Sequence, residues 1–174
     1  MRGSLAARQQ LRDSIDQEIA TRRKIHQSRI ARFKTARSSL LAMSAPAPAT
    51  PLVLLAHGDS WFDYPLSGNS LTLSDTDIMA QLRAMGNISP IIINMSHHGD
   101  ATTDEMSLPK QQRLIETLED PDNWLTGKPD AILFSGGGND IVGDQFCIFL
   151  DYAVPGATGL NATRFQDALG MVEA

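Results

Sequence analysis

Apolar positions along this chain follow two different periods. Over residues 5–41, Leu11, Ile15, Ile19, Ile25, Ile30, Phe33, Ala36 and Leu40 recur near the 3.6-residue spacing of one long amphipathic helix, with a gap in the stripe at Arg22. Ser44 to Pro51 then reads Ser-Ala-Pro-Ala-Pro-Ala-Thr-Pro, and alternating prolines predict an extended, semi-rigid spacer rather than more helix. Beyond it the pattern changes. Residues 52–56 are an unbroken apolar run without alternation, as expected of a strand buried on both faces of a parallel sheet, and residues 91–95 and 131–135 read as two further strands.

Helical patterns separate these strands. Ser74 or Asp75 is expected to cap a helix ending at about Met85, with Ile78, Met79, Leu82 and Met85 on its inner side and Gly86 closing it. Pro109 opens another that runs to about Glu119 with Leu114, Ile115 and Leu118 inward. An amphipathic helix carrying Phe165, Leu169 and Val172 begins at Asn161. Strands alternating with helices predict an α/β fold with right-handed crossovers and all three post-strand loops on one edge of the sheet. The expected division is a basic amphipathic helix over 1–43, an Ala/Pro linker over 44–51 and an α/β domain over 52–174.

Charge sharpens that division. Residues 1–50 hold ten Lys or Arg against three Asp or Glu, net +7, whereas residues 51–174 hold five against seventeen, net -12. A basic helix could lie on an anionic membrane, bind nucleic acid or pair with another helix. Packing on the acidic domain or on a second copy is the favoured reading, so self-association or partner binding is the expected role. No Trp or Tyr in the helix offers a base-stacking platform, and no nucleic acid is expected. No apolar run approaches the roughly 20 residues of a transmembrane helix. Nor does a secretory-type apolar segment occur near Met1, and a cytoplasmic location is expected. With one cysteine, Cys147, the chain can form no internal disulfide; its place in the run 146–150 predicts a buried small hydrophobe.

The candidate chemistry lies in the three loops. Leu-Val-Leu-Leu-Ala-His-Gly-Asp-Ser over 52–60 ends a strand abruptly at Gly58 and leaves Ser60 at the carboxyl end of the sheet, where open α/β folds bind ligands. The second loop carries His97, His98, Gly99 and Asp100, and the third Gly136, Gly137, Gly138, Asn139 and Asp140. Asp59 is expected to bond local backbone, His57 to pack or bond beside the strand end, and Asp140 to anchor its own loop. His97 and His98 read as solvated loop histidines, with base or pocket-shaping roles as the alternative. Trp61, Phe62 and Tyr64 are either pocket wall or core. The glycine run lacks the Lys-Ser/Thr of a P-loop and is weak evidence of a phosphate cradle.

Gly58-Asp59-Ser60, the glycine of His98-Gly99-Asp100-Ala101-Thr102, and Gly137-Gly138-Asn139-Asp140 together resemble the SGNH hydrolases, also known as the GDSL esterase/lipase family. The resemblance covers Leu52 to about Gly143. It implies a three-layer α/β/α sandwich with a flavodoxin-like parallel sheet, and hydrolysis of a small-molecule carboxylic ester through an acyl-enzyme without a cofactor. Ser60 would be the nucleophile and one backbone donor; the Gly99 N–H and the Asn139 carboxamide would complete the oxyanion hole. Trp61 stands where the family's alternative name expects leucine. No histidine follows His98, so the family's Asp-x-x-His block, which supplies the base, is absent. A C-terminally truncated hydrolase is the expected reason, since a three-stranded parallel sheet leaves apolar edges bare. A metal-dependent hydrolase or phosphatase using His57, Asp59, His97, His98, Asp100 and Asp140, and a non-catalytic binding protein, are the competing readings.

Overall fold

The computed structural model describes residues 2–63, 77–100, 102–138, 147, 149–151 and 159–172. Its elements in chain order are α1 (Arg2–Ala42), β1 (Val53–His57), α2 (Ile78–Ala84), β2 (Ile91–Asn94), α3 (Thr102–Glu105), α4 (Leu108–Glu119), a 3-10 turn (Pro121–Asn123), β3 (Ala131–Phe134) and α5 (Ala162–Val172). The chain is therefore a mixed α/β protein with a long N-terminal helix and a three-stranded parallel sheet, as the apolar periods predict. No helix among the described residues is long and apolar enough to cross a membrane.

The strand order is β2-β1-β3, with both neighbours parallel to β1. Leu55 is flanked by Ile93 on one side and Ile132 on the other. Because successive strand residues point to opposite faces, two apolar clusters form. On one face Val53, Leu55, Ile93 and Met95 meet Ile19 and Ile30 of α1 and Trp124, with Leu114 and Leu118 of α4 alongside. On the other, Leu54, Ala56 and Ile92 meet Phe62 and Met79 of α2.

The basic helix packs against the sheet with only part of the stripe its apolar residues suggest. Leu11 and Ile25 face solvent, and Ile15, Ile19, His26 and Ile30 face the core. Steps of about four residues carry one helix face from Ile19 through the Arg22–Arg23 turn to His26 and Ile30; Ile25 lies roughly 100° away. His26 is tolerated in that seam because its Nε2 lies 2.7 Å from the Asn123 carbonyl oxygen. Beside it Gln27 donates to the Asn123 and Asp120 side chains, and Arg23 pairs with Asp120 at 2.6 Å. Arg113 of α4 reaches Asp16 at 2.6 Å.

Smaller corrections have similar causes. Helix α2 is capped by Asp77, whose Oδ1 accepts from the Ala80 N–H at 2.6 Å, not by Ser74 or Asp75. Seven residues bury only one row, so Met79 is inside while Ile78 and Met85 are exposed. In α4, Thr117 rather than Ile115 turns inward, its hydroxyl satisfied by the Arg113 carbonyl. Cys147 is exposed, not buried: it sits in a short turn before the isolated bridge Leu150–Leu160.

Candidate functional site

The loop after β1 is held by its neighbour after β3. Gly58 takes φ +153°, and a Cβ built there would stand 2.2 Å from the Ser135 Oγ and 2.4 Å from the Ser135 carbonyl oxygen. No side chain fits. That close approach lets the Ser135 hydroxyl accept from the Asp59 N–H at 3.0 Å and donate to Asp59 Oδ1 at 2.8 Å. The same carboxylate oxygen accepts from the Trp61 N–H at 3.1 Å, and the Asp59 carbonyl accepts from Phe62 N–H at 3.1 Å. Asp59 thus wraps the backbone around Ser60 into one tight turn, the local-bonding role its sequence position suggests. Its Oδ2 is buried and meets no donor among the described residues.

Ser60 is half-buried at the top of that turn. Among the described residues, no group exchanges a hydrogen bond with its hydroxyl. Phe62 is core and Trp61 is exposed; Tyr64 lies outside the described residues.

The loop after β2 is stitched to the first. The His97 N–H donates to the Gly58 carbonyl at 3.1 Å. Buried Asn94 donates from its amide to the Phe62 carbonyl at 2.6 Å and accepts from Ser96 N–H at 3.1 Å. Gly99 follows with φ +85° and open space where a Cβ would point. Backbone conformation, not close approach by a described residue, calls for glycine there. The third loop enters beside them: a Cβ on Gly138 would stand 3.2 Å from the Trp61 indole nitrogen and 3.6 Å from Asp59 Oδ2. Asn139 and Asp140 lie outside the described residues.

Ionisable groups collect behind this edge. His57 Nε2 lies 2.9 Å from Glu105 Oε2, both side chains buried, and Lys110 stands 3.5 Å from Glu105 Oε1 while also pairing with Asp100. Burial pushes the Glu105 carboxyl above its ordinary value, against the opposing hydrogen bond from His57 and the charge of Lys110. His97 and His98 stack at 4.4 Å between centroids. Burial, then the neighbouring His98, holds His97 below the ordinary histidine value, which favours its neutral, proton-accepting form. Among the described residues no three His, Cys, Asp or Glu side chains converge as a metal cage; His57 and Asp59 are taken up by separate partners.

A cavity of about 510 Å³ opens between α3 and the end of β3, walled by His57, Met106, Phe134 and Ser135. Ser135, Arg22, Glu105 and Lys110 are the site-forming residues that motif reasoning passes over. Ser135 is visible only as the last residue before a glycine run, and Arg22 only as a polar interruption of an apolar stripe.

Comparison with known proteins found no matching family model, no matching curated protein and no matching solved structure.

Proposed function

We propose that this chain is a serine ester hydrolase of the SGNH type, with Ser60 as nucleophile. The observation that carries the reading is the crowded Gly58–Ser135 junction, which fixes a seryl turn at the carboxyl end of the central strand. In a sheet ordered 2-1-3 that point, between β1 and β3, is the topological switch where α/β folds take ligands. The finer architecture belongs to the same proposal: a three-layer α/β/α sandwich with a flavodoxin-like sheet.

In this reaction the Ser60 Oγ attacks the acyl carbonyl and forms a tetrahedral oxyanion. The N–H groups of Ser60 and Gly99 and the Asn139 carboxamide donate to it, each such donor being worth about 100-fold to 1000-fold in rate. On collapse the proton taken from Ser60 passes to the leaving oxygen, the alcohol departs and acyl-Ser60 remains, which water then cleaves to the carboxylic acid and free Ser60. The proton leaving Ser60 needs a base, and His97, held neutral on the adjoining loop, is the first residue to test for that role.

A fluorophosphonate probe followed by peptide mapping tests the reading. The adduct is expected on Ser60 and is expected to vanish in Ser60→Ala. An ester hydrolysed equally well by the Ser60→Ala protein would end the proposal. Activity of that variant abolished by chelation would instead support the metal-dependent alternative.

A further inference from the structure

The seryl and glycyl loops do not hold themselves together by their own contacts alone. Arg22, from the middle of α1, sends Nη1 to the Ser96 carbonyl at 3.0 Å and Nη2 to Asp63 Oδ1 at 2.6 Å. Ser96 lies three residues before Gly99, and Asp63 three residues after Ser60. The second oxygen of Asp63 continues the connection: Oδ2 lies 3.4 Å from the His98 N–H nitrogen and 3.5 Å from His98 Nδ1. One guanidinium therefore spans both loops, and the carboxylate it holds reaches the residue next to Gly99.

We infer that α1 is a working part of the catalytic edge, with Arg22 as a positioning residue that sets the Ser60 and Gly99 loops at a fixed separation. This rests on the hydrolase reading. The physical case is geometric. An oxyanion hole assembled from two loops works only if their donors keep one spacing, and displacement by about 1 Å can cost about 100-fold in rate. Arg is suited to the task because its planar fork presents two donors at a fixed angle, which an ammonium does not. Arg22 and Asp63 are both largely shielded from water, so the pair is less screened than the exposed Arg22–Glu18 contact on the same helix. The break in the apolar stripe at Arg22 is then explained: that turn of the helix faces the two loops.

The test compares Arg22→Ala, Arg22→Lys and Asp63→Asn with Arg23→Ala, which removes the neighbouring ion pair to Asp120 without touching either loop. Two readouts are taken: amide hydrogen exchange at residues 62–63 and 96–98, and the rate of fluorophosphonate labelling at Ser60. Arg22→Ala is expected to speed exchange in those two segments while β1 stays protected, and to slow labelling roughly tenfold to 100-fold. Arg22→Lys should recover less than half of that loss, and Arg23→Ala should leave the labelling rate within about twofold. Asp63→Asn should slow labelling in the same direction, and combined with Arg22→Ala should add little more. Unchanged exchange in both segments, or equal slowing by Arg23→Ala, would overturn the positioning role. A wild-type protein that never labels at Ser60 would overturn the hydrolase reading and the catalytic half of this inference, while the exchange data still decide whether Arg22 holds the loops.

Discussion

Strands β1 and β3 are both mainly apolar in sequence and opposites in circumstance. Val-Leu-Leu-Ala-His is buried at every position, whereas Ala-Ile-Leu-Phe leaves Ile132 and the 61% exposed Phe134 open. The registered pairs Leu55–Ile132 and His57–Phe134 lie on one face, and α1 and α4 cover that face over β1 and β2 but not over β3. An apolar run specifies a strand; its neighbours in the finished sheet specify what the run is worth.

Substitutions can break this contrast or sharpen it. Gly58→Ala should cost most, about 3 kcal/mol or more, because the methyl group would overlap Ser135 and adopt a strained backbone; denaturant midpoints would show it, and Ser135→Gly, which removes only the hydroxyl overlap, should not restore wild-type stability. Leu55→Ala, in the fully covered strand, is expected to cost about 2 to 5 kcal/mol by the same measurement.

Acid should loosen the cover itself. Burial, opposed by the Asn123 carbonyl, lowers the His26 pKa in the folded protein below 6.5. The unfolded chain therefore takes up that proton first, and stability falls as pH drops from about 6.5 towards the folded value. Denaturation at about pH 8 and about pH 5.5 should show the loss, and His26→Gln should reduce the pH dependence over that interval. Smallest of all, Ile132→Lys on the open strand should change stability by no more than about 0.5 kcal/mol and should reduce self-association measured by light scattering.

Element type was legible for the three strands and for α1, α2, α4 and α5, because each strand is a mainly apolar block and each of those helices has its own period; the four-residue α3 falls in what reads as loop. Which side of a helix faces in was less so. His26 and Thr117 lie inward while Ile25 and Ile115 lie outward, since carbonyl partners 97 and four residues away make the polar groups acceptable in the interior. Ser60 and Gly99 could be read from glycine-marked turns at strand ends. Ser135, Glu105 and Lys110 could not, because their importance comes from contacts between crossovers that no local pattern encodes. Trp124, wholly buried with its indole nitrogen donating to the Leu118 carbonyl at 2.9 Å, is a core anchor inside what reads as a polar turn.

The hydrogen bond from His26 to Asn123 joins positions 97 residues apart. A ribosome making about 5 to 20 residues per second needs roughly 5 to 20 seconds between the two. Helix α1 consequently leaves the exit tunnel well before the turn that seats it, and its basic side chains spend that interval exposed to whatever acidic surfaces the cell presents.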